Sequence, residues 1–324
     1  MIMAKTHFYD LAEVRLQVIE AGDPSDPLLM LAHGFPEGAY SWRHQIDHFA
    51  SRGWHVLAPY QRGYGQSSNP RDVSAYTSEK LCGDLIELAH ATGHEDMVLV
   101  GHDWGAIIGW DFYRMHPNRL RAYVGVSVPY IKWPMKPTEL MKSQHGDRFF
   151  YMLYFQAVGP VEAELEANVR YTMQSTMWSA CAEGFQQRKP YPKGLHYSDC
   201  GFLTLNPTAP DVPWSWLSVE DLDHYTDDFT KSGFFGPVSY YRNLDRNYAW
   251  VTEGAGEIPN VPLYFIGGEH DLTNVMDPNG ISRMAGMFSG YRGSTVIPNI
   301  GHWTQQEDPD SFNAALENFL GTLG

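Results

Sequence analysis

The stretch Val98–Trp110, VLVGHDWGAIIGW, constrains this chain more than any other. A continuous apolar run, Met97–Val100, has the character of a buried strand, and Ile107–Met115 that of a helix stopped by Pro117. Only Gly101-His102-Asp103-Trp104-Gly105 separates them. A strand that turns into a helix within so few residues brings the two backbones close together. A Cβ at either flank would collide, and glycine at 101 and 105 meets that demand. The apical residue sits in a strained conformation that Asp tolerates better than most side chains. Such a turn, a nucleophile elbow, lifts its apical side chain above the sheet. The plainer alternative is that Asp103 only caps the following helix.

The apical residue selects the chemistry. Serine at this position suits acyl transfer. A carboxylate is a weak nucleophile towards amides, but it displaces a leaving group from saturated carbon when held in line with it. The product is an ester on the protein, which water must then cleave.

Ester cleavage needs an oxyanion site and a base. His33-Gly34-Phe35-Pro36 follows an early strand, in the place from which a loop faces the elbow. Backbone N–H groups of Phe35 and Trp104 would hold the developing negative oxygen, and losing one such donor costs about 3 kcal/mol of barrier. Taken alone, HGFP is better read as a tight turn. Of 14 histidines, His302 in NIGHW directly follows the last expected strand. The chain order nucleophile, acid, histidine then places the acid after the preceding strand, at Gly268-Glu269-His270-Asp271. Asp271 is the expected acid, with Glu269, nearer the strand, as the alternative. The corresponding place after an earlier strand, Val126–Lys132, holds no carboxylate. Asp271 would fix the tautomer of His302, and His302 would take a proton from water.

The rest of the chain supplies a frame for these pieces. Strands are expected at Val14–Ile19, Leu28–Leu31, Val56–Ala58, Met97–Val100, Ala122–Val128, Pro262–Gly267 and Thr295–Ile300. Helices are expected at Leu81–Thr92, Ile107–Met115 and Phe312–Leu320. Alternation of strand and helix predicts an α/β fold, a mostly parallel central sheet flanked by helices. From Ile131 to about Asp245 that rhythm is lost. Residues 148–158 and 161–178 look helical there, between the Pro-rich linkers KWPMKP and RKPYPKG. The expected organisation is a core at 1–130, a helical cap at 131–245 and a second part of the core at 246–324.

Together these motifs resemble the soluble epoxide hydrolases of the α/β-hydrolase fold. The likeness runs over nearly the whole chain, through HGFPE, GHDWGA, GEHD and GHWTQQEDP. Two cap segments, Phe150–Gln156 (FYMLYFQ) and Gly236–Asn243 (GPVSYYRN), are similar to the two that in the family each supply a tyrosine to the epoxide oxygen. The resemblance therefore implies Tyr151 and Tyr241 in that role. A phenol suits it, because an alkoxide leaves poorly unless a proton donor meets the oxygen as the C–O bond breaks. Tyr154 and Tyr240 are neighbouring alternatives that could simply pack, and Tyr240 stands where many relatives carry Trp. Pro36 and Tyr154 are expected to line the substrate pocket.

The implied activity is conversion of an epoxide to a vicinal diol through an Asp103 ester, with no metal or organic cofactor. Haloalkane or haloacid dehalogenases share the Asp elbow and are the rival, with Trp104 as a halide donor. Against them, Phe35 stands where haloalkane enzymes place a halide-binding Asn. A non-catalytic ligand-binding protein on the same fold is a third possibility. A net charge of -15 opposes nucleic acid and anionic membrane surfaces as partners. Cys82, Cys181 and Cys200 form neither a zinc pattern nor a disulfide framework, which fits a reducing compartment. Met1–Asp10 has no apolar signal core, and no segment approaches the roughly 20 apolar residues of a membrane span. A cytoplasmic protein is expected. Aromatic residues reach 14% of the chain and are frequent in the insertion, which hints at an apolar epoxide, although core packing accounts for them as well. Homo-oligomerisation is left open.

Overall fold

The computed structural model describes residues 4–189 and 200–323. Its apolar runs become one eight-stranded sheet. The strands are β1 (Lys5–Asp10), β2 (Arg15–Ala21), β3 (Leu28–Ala32), β4 (His55–Pro59), β5 (Met97–His102), β6 (Leu120–Val126), β7 (Leu263–Gly268) and β8 (Tyr291–Ile297). Their order across the sheet is β1-β2-β4-β3-β5-β6-β7-β8. β1, β2 and β4 pair antiparallel, and every pairing from β4 onwards is parallel. Every residue of β3, β4 and β5 is buried, as parallel strands covered on both faces require.

Helices α1 (Arg43–Ala50), α2 (Ser78–Ala91) and α3 (Trp104–Met115) alternate with the first strands. Between β6 and β7 the described chain has helices and no strand. These are α4 (Pro137–His145), α5 (Tyr151–Tyr154), α6 (Pro160–Glu166), α7 (Val169–Ala180), α8 (Ala182–Gln186), α9 (Val219–Ser232), α10 (Phe235–Arg242) and α11 (Leu244–Gly254). The chain returns to the sheet at β7, α12 (Leu272–Met276) and α13 (Gly280–Met287) link β7 to β8, and α14 (Thr304–Glu307) and α15 (Pro309–Leu320) follow. Among the described residues no helix is long and apolar enough to cross a membrane.

Three local differences from the sequence reading have physical causes. β1 (KTHFYD) is an edge strand bonded on one side only and mostly exposed, so it carries no apolar signal. β8 begins four residues earlier than the expected Thr295, because its outer positions alternate with solvent and its apolar character is confined to the end. Residues 161–178 form two helices instead of one. Asn168 breaks them apart, its side chain accepting the Tyr171 N–H as the N-cap of α7. The linker at 188–194 lies mostly outside the described residues.

The ends of the parallel strands gather the site. The loop after β3, the elbow after β5, the acid loop after β7 and the histidine loop after β8 all leave the same edge of the sheet. Open α/β sheets bind their ligands in the crevice beyond the carboxyl ends of the strands.

Candidate active site

Asp103 takes φ 51° and ψ −112°, the strained apex expected of the elbow. The flanking glycines are held to their identity by space. A Cβ on Gly101 would lie 2.2 Å from the Gly105 carbonyl oxygen, and one on Gly105 would lie 2.1 Å from that of Ala32. The strand, the turn and the helix therefore close on each other with no room for a side chain. Asp103 is not used as a helix cap, since its carboxylate makes no capping bond to α3. Instead Oδ1 accepts the Phe35 N–H at 2.8 Å, and Oδ2 faces His302 Nε2 at 3.5 Å. The Trp104 N–H belongs to the first turn of α3, where a helix leaves its N–H groups without internal partners.

His302 Nδ1 lies 3.1 Å from each oxygen of Asp271. Asp271 is buried, and its position is fixed by the Thr273 N–H, which it accepts at 2.9 Å. Burial alone would raise its carboxyl. The charge of His302, with hydrogen bonds from His302 and Thr273, holds it below the usual carboxylate range instead. Burial would likewise lower the imidazole, but Asp271 and Asp103 on its two sides hold it well above the ordinary histidine value. Glu269 is turned away, accepting the Asn299 N–H at 3.0 Å, so the geometry pairs His302 with Asp271 and not with the alternative.

A cavity of about 660 Å³ opens above these groups, lined among others by Phe35, Asp103, Tyr151, Tyr241 and His302. Tyr241 is buried on α10 and meets the Trp104 ring edge-on at 4.9 Å and the Phe35 ring at 5.5 Å. Tyr151, on α5, is 5.9 Å from Tyr241 between ring centres. Burial, with Asp103 nearby, pushes the Tyr241 phenol well above its usual value, so it keeps its proton. Two expected pocket residues are displaced from this wall. Tyr154 directs its hydroxyl to Glu164 at 2.8 Å, and the cavity lining includes neither Tyr154 nor Pro36. Tyr154 is drawn off by that carboxylate, and Pro36 is buried in the turn behind Phe35.

A family model described as the alpha/beta hydrolase fold matches residues 27–157. Epoxide hydrolase A of Mycobacterium tuberculosis is 42% identical over 315 residues, covering 97% of this chain and 96% of its own. The chain belongs to the epoxide hydrolases of the α/β-hydrolase fold. The crystal structure of epoxide hydrolase A from Mycobacterium thermoresistibile superposes with a TM-score of 0.89 at 38% identity, covering 98% of each chain. An epoxide hydrolase from an endophytic Streptomyces gives a TM-score of 0.89 at 34% identity, over 99% of this chain and 96% of its own.

In this epoxide hydrolase two carboxylates inside HGFPE and GHWTQQEDP hold the site together without being signalled as site residues by the sequence. Glu37, the last residue of HGFPE, is buried 2.6 Å from His102 Nδ1 and also accepts from Gln306 at 2.7 Å. His102 Nε2 in turn lies 2.8 Å from the His302 carbonyl oxygen, so this network runs beneath both the elbow and the histidine loop. Glu307, in GHWTQQEDP, accepts three backbone N–H groups around His302. The only sequence signal for either was a charged residue inside an otherwise recognisable motif.

Proposed function

We propose that Asp103 opens the epoxide by attacking one ring carbon, forming an alkyl ester, and that His302 and Asp271 activate the water that cleaves it. One observation carries this reading: a carboxylate held between the Phe35 N–H and His302 shares a cavity with two tyrosines. As the C–O bond breaks, Tyr151 and Tyr241 bind the oxygen and one of them gives it a proton. Water then adds to the ester carbonyl, with its proton passing to His302 and the oxyanion facing the Phe35 and Trp104 N–H groups. On collapse the leaving diol oxygen takes the proton held by His302 and the second proton of the water passes to the tyrosinate, which releases a vicinal diol and restores the tyrosine and the Asp103 carboxylate. The aromatic and aliphatic wall, with Phe150, Phe185, Phe202 and Met276, supports apolar epoxides as substrates. In this reading residues 131–245 act as a cap over a core made of 1–130 and 246–324.

The tyrosine pair separates this chemistry from halide displacement. Chloride leaves without a proton, whereas an alkoxide needs one. The Tyr151→Phe/Tyr241→Phe double variant is expected to lose about 10²- to 10⁴-fold in ring opening, read as the rate of ester formation in a single turnover. An unchanged rate would remove the tyrosines from the reaction.

The covalent step is tested by a single turnover in heavy-oxygen water with enzyme in excess. The first diol is expected to carry no label, and the Asp103 carboxylate to gain it, read by mass spectrometry of the peptide. Label appearing at once in the diol would mean direct attack by water.

A further inference from the structure

The histidine loop of this enzyme is held from two sides by one carboxyl group. Glu307 closes the short helix α14, five residues after His302. Its Oε2 accepts the N–H of Gly301 at 3.0 Å and of Ala182 at 3.0 Å, and its Oε1 accepts the N–H of Trp303 at 3.0 Å. Gly301 and Trp303 are the immediate neighbours of His302, while Ala182 opens α8 in the helical insertion. The same junction is tied twice more. The His302 N–H donates to the Ala180 carbonyl at 3.0 Å, and Trp303 Nε1 donates to the Met177 carbonyl at 2.7 Å. The backbones touch as well, since a Cβ on Gly301 would lie 2.3 Å from the Ala182 nitrogen.

We infer that Glu307 is a positioning residue for the water-activating histidine, and that through it the insertion helps to set the rate of ester cleavage. This rests on the covalent mechanism proposed above. The direction of the His302 ring follows from the peptide planes at 301–303, and Glu307 holds the N–H groups on both sides of it. An ionised carboxylate accepts through both oxygens, whereas an amide accepts through one and presents hydrogen at the other. Glutamine at 307 would therefore set an NH₂ group against a backbone N–H. Burial pushes the Glu307 carboxyl up to about 7, against three N–H donors that favour its charge; three N–H groups on its two oxygens are the partners that suit an acceptor-only carboxylate.

The two half-reactions draw on different parts of the site. Ring opening uses Asp103, on the elbow, and the tyrosines of α5 and α10. Ester cleavage uses the line from His302 through water to the ester carbon, and a small misplacement along such a line is felt strongly in the rate. Loosening the histidine loop therefore acts on the second step.

The test compares the parent enzyme with Glu307→Gln and Glu307→Asp in rapid-quench single turnovers on a small aromatic epoxide such as styrene oxide, following the ester by intact-protein mass. In Glu307→Gln ester formation is expected to stay within about threefold of the parent while ester breakdown slows roughly tenfold or more. The ester then accumulates, and kcat and KM fall together. Glu307→Asp keeps the charge and is expected to recover part of the loss; it also provides the reading if the glutamine variant does not fold. Both half-reactions falling in the same proportion would mean a merely structural role. An ester that forms and breaks at parental rates in both variants overturns the role of Glu307 alone. If the parent never forms an ester, the covalent mechanism fails and this inference fails with it.

Discussion

Asp103→Asn is expected to lower diol formation by about four orders of magnitude or more, because under the covalent mechanism proposed above it removes the atom that attacks carbon. Asparagine has nearly the same shape and tolerates a positive φ, which the residue at 103 must adopt at 51°. Its carbonyl oxygen can still accept the Phe35 N–H. The melting temperature is therefore expected to stay close to that of the parent, and binding of a non-reactive epoxide analogue should survive. Intact-protein mass spectrometry with excess epoxide should find no adduct. An adduct at parental rate in this variant, or diol formation within tenfold of the parent, would place the nucleophile elsewhere.

His302→Gln separates the two steps in the opposite way. Ring opening continues, so the protein is expected to gain the mass of one substrate molecule. Ester breakdown falls by about 10²- to 10⁴-fold, the usual contribution of a positioned general base. The flanking charges also predict a pH dependence. In the free site Asp271 and Asp103 together raise the imidazole above its ordinary value against the effect of burial. Forming the ester removes the charge of Asp103 and leaves that of Asp271. The proton affinity of His302 then drops, and the ring is freed to act as a base just when water must be activated. Breakdown of the ester in the parent should therefore rise with pH along a limb lying below the titration of His302 in the free enzyme. The His302→Gln variant should show no such limb. Equal limbs in the free and esterified enzyme would mean that Asp103 does not influence the histidine.

Most of the frame of the candidate site is readable from residues close together in the chain. The elbow could be seen because close approach of two backbones leaves a local trace, two glycines around one polar residue. Asp271 could be placed beside His302 because β7 ends at Gly268 and Asp271 follows at loop distance, although only the fold revealed that Glu269 is occupied by the Asn299 N–H. Tyr151 and Tyr241 are 90 residues apart, and no spacing predicts their meeting; they were reached through resemblance. Tyr154 illustrates the limit of that approach. It lies one helical turn from Tyr151, yet its hydroxyl is captured by Glu164, a partner ten residues on in another helix. Glu37 and Glu307 were invisible for a similar reason. Each gathers donors from segments far apart in sequence, and a buried acceptor leaves no periodic mark. Strand β1 escaped because an exposed edge strand has no apolar face to betray it.

The joint between the insertion and the histidine loop bears on how such enzymes are re-engineered. Grafting helices from one relative onto the core of another is an obvious route to a new substrate range. In this chain the graft would also bring a new Met177, Ala180 and Ala182, whose backbones hold Trp303, His302 and Glu307. A chimaera joined only at residues 131 and 245 would exchange the seat of His302 along with the wall of the pocket. Carrying the loop from Gly301 to Glu307 together with the graft keeps the two halves of that seat matched.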